Sequence, residues 1–380
     1  MRNPIHRSFR SSLALLVVSS VFCTTSASKV SAQDHKMAVD TLMALDVANS
    51  PDGSLLAVGT NYGVVLFDVE TDTEVKKLTT KSMVRAIEFL PDSGSILLVR
   101  DGKGRYETSG IAEVWSFGDE TKEPGVQSVV DFDESNMRKL VRANNKSETN
   151  DNANELFALS AQRIDESTYS YTVSRCSPLG SLDECLSLPP EQGKYVGDFC
   201  FSEDGSTAML LVGNSTIQVY DATDWKLTRS IELKNGEARS IAYANQTIVA
   251  TGNLNTGEDV FWKLDLPDES ASVDSREFSK SNRKAEITGA FLNESGSHLL
   301  TQTTRVVVTG RNTMSLLPVV EAREIASGKV VWEHVAKSPG DRIPIVQSAD
   351  RKSITYAVDD QVVTLEIETG KLVKQFELTR

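Results

Sequence analysis

The chain has 380 residues, with 53 acidic against 40 basic side chains, a net charge of −13 and four cysteines. That surplus of negative charge repels phosphate backbones and anionic lipid headgroups, so nucleic acid is not expected as a partner. The length fits two ordinary domains or one large repeat fold.

The first thirty residues read as a targeting signal. Arg2, His6, Arg7 and Arg10 form a basic flank, and Leu13 to Phe22 is an apolar run too short to span a bilayer as a helix. Small residues follow, ending in Val30-Ser31-Ala32 before Gln33. A signal peptide over 1–32, cleaved near Ala32, is therefore expected. It would leave an exported protein of net charge −17, since residues 1–32 carry four bases and no acid. Residues 33–41 read as a tail or an edge strand. No later stretch is apolar and long enough for a transmembrane helix.

From residue 42 onward one unit recurs. An apolar strand leads to a turn rich in Ser, Asp, Glu and Gly, and a second strand follows. A third alternating strand, an acidic or Thr-Gly turn and a fourth strand complete it. The clearest copy is Ala44 to Leu78 and another is Val196 to Leu233. Taking Asp52, Asp92, Glu134, Asp204, Asn245, Glu294 and Asp350 as markers of the first turn, the spacings are 40, 42, 70, 41, 49 and 56. Three of these match a four-stranded propeller blade of forty-odd residues. The long ones coincide with polar insertions at Asn144–Glu155, Asp268–Lys284 and around Arg311–Ser315. Stretches such as VVLFDV and VVTLEIE have strand periodicity, and Gly and Asp punctuate them at turns.

The expected fold is thus all-β: one β-propeller domain, 42–380, of about seven four-stranded blades. The expected blades run approximately 42–80, 84–122, 127–190, 194–234, 238–285, 286–337 and 341–380. The alternative count is eight, with the third unit hiding two short blades.

Chemistry-bearing residues are sparse. After the signal, histidine occurs only at His35, His298 and His334, and the last two fall in strands. No HExxH, G-x-S-x-G or phosphate-loop motif occurs, and Asp101-Gly102-Lys103-Gly104 reads as a turn. The Asp/Asn cluster at Asn150–Glu155 lacks the glycine and distal glutamate of a calcium loop. No catalytic, cofactor or metal residue is assigned. Cys176 and Cys185 flank a turn-like stretch and are expected to face each other across a hairpin as a disulfide, with Cys185–Cys200 the alternative pairing. Trp115, Trp262 and Trp332 read as strand aromatics packed between blades. Asn145, Asn214, Asn245 and Asn293 head N-x-S/T triplets.

The repeats resemble WD-repeat and YVTN-type propellers. The likeness rests on Ser50-Pro51-Asp52-Gly53 and Ser202-Glu203-Asp204-Gly205 in the first turn, and on the third-strand endings Leu66-Phe67-Asp68, Val114-Trp115-Ser116 and Val219-Tyr220-Asp221. The closing turns Ala326-Ser327-Gly328-Lys329 and Glu368-Thr369-Gly370-Lys371 extend it. The departure is that no Gly-His dipeptide occurs. The resemblance implies a rigid platform that binds another protein, here an exported or surface protein, through its loops. A propeller hydrolase or lactonase is the alternative. A quinone-type oxidoreductase, suggested by the single GKVVWEH repeat around Trp332, is a third reading.

Overall fold

The computed structural model describes residues 42–380, except 81, 92, 102–109, 118–124, 133–134, 144–154, 166–167, 177–181, 193–194, 257, 267–273, 278–288, 309–313, 337–342, 349, 359 and 379–380. The expected signal peptide and tail, residues 1–41, lie outside the described residues.

Seven antiparallel sheets of four strands follow one another along the chain, each in simple sequence order. Blade 1 holds β1 (Ala44–Asn49), β2 (Leu55–Thr60), β3 (Gly63–Asp68) and β4 (Glu74–Thr79); blade 2 holds β5 (Val84–Phe89), β6 (Ser95–Asp101), β7 (Gly110–Ser116) and β8 (Gly125–Phe132). Blade 3 holds β9 (Ser135–Ala143), β10 (Glu155–Arg163), β11 (Thr168–Cys176) and β12 (Leu182–Gln192). Blade 4 holds β13 (Val196–Phe201), β14 (Thr207–Val212), β15 (Thr216–Asp221) and β16 (Leu227–Glu232). Blade 5 holds β17 (Gly236–Ala244), β18 (Thr247–Leu254), β19 (Asp259–Asp265) and β20 (Asp274–Glu277). Blade 6 holds β21 (Gly289–Leu292), β22 (His298–Val308), β23 (Met314–Glu324) and β24 (Val330–Val335); blade 7 holds β25 (Ile345–Gln347), β26 (Ser353–Val358), β27 (Gln361–Glu366) and β28 (Leu372–Glu377). No helix occurs among the described residues.

The first strands of successive blades are neighbours: β1 lies by β5, β5 by β9, β9 by β13, β13 by β17 and β17 by β21, and β25 lies by β1. These strands therefore line the axis, and the fourth strands form the rim. Second and third strands are covered on both faces, so they are apolar almost throughout; LLAVGT and GVVLFD are examples. The fourth strands are largely exposed.

The core is seven apolar clusters, each shared by two adjacent blades. The seventh closes the ring. It joins Val47, Leu56, Val58, Val65 and Phe67 of blade 1 to Ala357, Val362 and Leu378 of blade 7. Among the described residues blade 7 takes all four strands from one stretch of chain, so closure there rests on this face-to-face packing and not on a shared strand. Phe67 and Phe376 meet across it with ring centroids 4.7 Å apart.

The expected third unit differs in its start. Val129–Phe132 belongs to β8, the outer strand of blade 2, and blade 3 begins at Ser135. β9 ends at Ala143 and β10 begins at Glu155, and the polar run 144–154 that separates them in sequence lies outside the described residues. An apolar strand followed by acids looks the same at the rim and at the axis, so VVDFDES imitated a blade start. The insertion around Arg311, of which residues 309–313 lie outside the described residues, falls in sequence between β22 and β23, an elongated antiparallel pair. Pairs from Thr303↔Val319 to Val308↔Met314 continue the β22–β23 ladder, whereas β21 ends opposite Gln302 and β24 opposite Val319.

Two glycines show what the turns demand. Gly53 (φ +74°) has open space where a Cβ would go, whereas a Cβ on Gly370 (φ +68°) would stand 2.5 Å from Trp332 Cγ of blade 6. Gly53→Ala should therefore cost about 1–2 kcal/mol of left-handed strain. Gly370→Ala should cost about 1–3 kcal/mol more through overpacking. Urea denaturation of the two variants measures the difference; equal losses would contradict the close Trp332 contact.

Candidate functional site

The first turns gather at one mouth of the axial channel. Ser50, Ser202 and Ser348 each hydrogen-bond an aspartate two residues on, Asp52, Asp204 and Asp350, at 2.6 Å. The same hydroxyls accept the backbone N–H of Leu55, Thr207 and Ser353 at 2.8 to 3.0 Å. The Ser50 hydroxyl is the main cause holding the Asp52 carboxyl below its ordinary value. In five blades this turn holds one left-handed residue, supplied by Gly53, Gly205 and Gly296 but by Ser93 in blade 2 and Arg351 in blade 7, while blade 5 uses two, Asn245 and Gln246.

Arg351 uses that position to reach across the mouth. Its Nη1 pairs with Glu203 Oε1 of blade 4 at 2.9 Å and donates to the Tyr243 carbonyl of blade 5 at 3.0 Å. Asn245 N–H donates to the same Glu203 oxygen at 3.2 Å. From blade 3, Arg142 pairs with Glu88 of blade 2 and donates to the Asn49 carbonyl of blade 1 at 3.1 Å. Asn49 Nδ2 donates to Gln347 O, and Gln347 Nε2 to Leu292 O, linking blades 1, 7 and 6. Side-chain bonds thus tie all seven blades together at this mouth. Burial pushes the Glu88 carboxyl up, and Arg142 opposes the shift.

Further in, Asp46 Oδ2 accepts the Ile87 N–H at 2.9 Å, and the equivalent Asp198 Oδ2 accepts Ser240 Oγ at 2.6 Å and Ile241 N–H at 2.9 Å. Lys139 completes the Asp198 site as its ion-pair partner. A second polar device lies on the third strands of blades 2, 4 and 6. Glu113 accepts from Trp115 Nε1 at 3.0 Å, Gln218 Oε1 from Tyr220 OH at 2.7 Å, and Glu321 from Arg323 Nε at 2.7 Å. In each pair an acceptor serves the side chain two residues on, which shares its face of the strand. Arg100 adds two further bonds to Glu113 Oε1. These contacts are structural: each carboxylate is consumed by an internal partner.

The rim carries the features that are not consumed. In six blades the fourth strand has a β-bulge near its start, whose extra residue is Val75, Gln127, Cys185, Thr228, Val331 or Val373. A bulge re-aims side chains and spoils an edge for further strand pairing. In blades 6, 7 and 1, consecutive around the ring, the bulged residue is valine. Val331, Val373 and Val75 are 45 %, 58 % and 54 % exposed, with Val330 and Leu372 exposed beside them. Two grooves flank β28. One, of ≈ 440 Å³, runs between β24 and blade 7, lined by Trp332, Glu333, His334, Asp360 and Leu372 among others. The other, of ≈ 180 Å³, lies at the blade 7–blade 1 seam, lined by Phe67, Asp68, Asp72, Val373, Lys374 and Phe376 among others. Lys374 Nζ is 2.7 Å from Asp72 Oδ1 and donates to the Val69 carbonyl. In blades 6 and 7 two apolar residues directly after the closing turn (Ser-Gly-Lys-Val-Val, Thr-Gly-Lys-Leu-Val) are the sequence signal; blade 1 lacks it, since Glu74 precedes Val75.

The expected disulfide is not formed. Cys176, Cys185 and Cys200 are free thiols. Cys176 does lie in the same hairpin as Cys185, but it pairs with Leu182, and Cys185 is the bulged residue opposite Val173 and Ser174. Cys176 packs into the blade 2–3 cluster and Cys185 against the blade 3–4 cluster, so the two sulfurs face opposite sides of the sheet. Burial pushes the Cys176 thiol up to about 12. His298 Nδ1 lies 2.9 Å from Ser297 Oγ in a turn, and His334 packs on Tyr356 with ring centroids 5.2 Å apart. Trp262 is fully buried between blades 4 and 5, and Trp332 donates to Ile367 O of blade 7 at 2.7 Å. Trp115 packs against the blade 1–2 cluster. Asn293 is buried with Nδ2 on Glu368 Oε1 at 3.1 Å, which leaves no room for a glycan. His35, Asn145 and the Asn150–Asn154 part of the calcium candidate lie outside the described residues. No cluster of three metal-ligating side chains occurs among the described residues.

Two outcomes check this geometry. Arg351→Ala and Arg351→Gly both lose the bridge to Glu203, but alanine keeps the left-handed strain. Its urea midpoint should be lower by about 1 kcal/mol equivalent; equal midpoints would mean the turn is held left-handed by nothing else. Alkylation in denaturant without reductant should modify Cys176, Cys185 and Cys200, and a blocked pair in peptide mapping would reverse the disulfide finding.

No family model matches the chain, and no curated protein matches it. Solved structures do. The β-propeller domain of Myceliophteria thermophila Cps50 (Swd1) superposes with a TM-score of 0.53 at 12 % identity, over 90 % of this chain and 99 % of that one. KlHsv2 with loop 6CD replaced by a Gly-Ser linker gives 0.57 at 11 % identity, over 89 % and 100 %. Saccharomyces cerevisiae Sqt1 gives 0.55 at 11 % identity, over 89 % and 86 %. At that identity the likeness shows the fold alone, and with seven sequential four-stranded blades the chain folds as a seven-bladed β-propeller.

Proposed function

We propose that the protein is an exported binding module that holds another exported or surface protein on the rim sector formed by blades 6, 7 and 1. The observation that carries this reading is the exposed arc Val330, Val331, Leu372, Val373 and Val75, set beside two grooves. Exposed apolar side chains repeated on three neighbouring blades are the kind of surface a partner covers. The arc also differs from blades 3 and 4, where the bulged residue is Cys185 or Thr228. The other conspicuous groups, the arginines and carboxylates of the channel, are occupied in holding the ring. Export is supported by the basic flank, the apolar run and the Val30-Ser31-Ala32 site at the N-terminus.

Cross-linking of the purified protein to the exported and surface proteins of its own cell, read by mass spectrometry, tests the reading. A saturable partner should cross-link to blades 6, 7 and 1. The double variant Val331→Asp/Val373→Asp should weaken its retention at least about tenfold. A partner held equally well by the variant would move the working surface elsewhere on the disc, and saturable turnover of a small molecule would replace the reading with an enzymatic one.

A further inference from the structure

Resting on that reading, we propose that the occupant is an extended, basic segment of the partner that crosses the start of β28, placing one apolar side chain in each of the two flanking grooves. Leu372 lines the groove toward blade 6, and Val373, the extra residue of the bulge, lines the groove toward blade 1. The two grooves are thus the two sides of a single ridge. The seam groove, at ≈ 180 Å³, is smaller than the roughly 300–1,000 Å³ of sites that enclose a drug-sized molecule, and suits a single anchoring side chain.

Shape and charge select this occupant. The rim of a disc is convex, so a second copy would meet it along one blade, whereas an extended chain can lie over a ridge and enter both sides. Pairing as a fifth strand is disfavoured by the bulges at Val331 and Val373, which interrupt the edges of β24 and β28. The charged residues lining the grooves are Glu333 and Asp360 on one side and Asp68, Asp72 and Lys374 on the other. Glu333 is matched by Arg305 at 2.6 Å and Asp72 by Lys374 at 2.7 Å. Asp360 and Asp68 then leave each groove with a negative balance, which complements lysine or arginine beside the anchors.

Selection of a displayed library of random dodecapeptides on the protein tests this. Enriched peptides should carry two apolar residues separated by a short spacer, with adjacent Lys or Arg. Leu372→Asp and Val373→Asp should each weaken them at least about tenfold, while Thr228→Asp, at the matching bulge of blade 4, leaves them unchanged. All three positions are at the exposed rim, and unchanged thermal midpoints confirm that the variants are folded. Acidic peptides, peptides with one apolar anchor, or peptides indifferent to both substitutions overturn the proposal. If the cross-linked partner still depends on Val331 and Val373 while such peptides fail, the binding module stands and only the form of its occupant falls. If both fail, the rim reading falls with it.

Discussion

Everything in this molecule depends on covering both faces of each sheet. A blade such as β1–β4 is apolar on two sides, and one neighbour can cover only one of them. A row of blades would always end in two exposed faces; a ring has none. The seven clusters are that condition met seven times, and the last, between Phe67 and Phe376, is made of the same aliphatic and aromatic packing as the others. Burial of each large apolar side chain there contributes on the order of 2 kcal/mol, so no interlocking strand is required to hold the seam.

Polar groups enter this apolar frame only where a partner waits for them. The channel carboxylates Asp46 and Asp198 take the backbone N–H of the next blade, and the third-strand acceptors Glu113, Gln218 and Glu321 take a donor two residues on. Removing one member would strand a buried charge or donor, which costs more than the bond itself contributes. Such groups resist change without performing chemistry. Arg351 goes further: it accepts a left-handed backbone that glycine would adopt without strain, and in return joins blade 7 to blades 4 and 5.

Much of this was legible in the sequence. The Ser-x-Asp-Gly turns and the alternating third strands are local patterns with local causes, and they gave the architecture. The start of blade 3 was not legible, because Val129–Phe132 has the same pattern whether it lies at the rim or the axis. The disulfide reading assumed that Cys176 and Cys185 share a face, and one bulged residue reverses that. The rim valines were missed for the same reason. Val331 and Val373 follow polar turns in segments that count as ordinary strand, and only the register shows that each is an extra residue turned toward solvent. Inter-blade partners such as Glu203 and Arg351, 148 positions apart, leave no trace in local spacing.

The elongated β22–β23 hairpin has a consequence of a different kind. Seven wedges of similar shape make a disc with approximate rotational symmetry, and a body approaching along the axis would find seven nearly equivalent ways to sit. Among the described residues, only in blade 6 do central-strand pairs, from Thr304↔Pro318 to Val308↔Met314, run past both flanking strands, braced near their base by Arg305 on Glu333. That blade therefore serves as an index mark. It converts a wheel without a zero position into one with a single angular reading, and it lies in the same blade as Val330 and Val331.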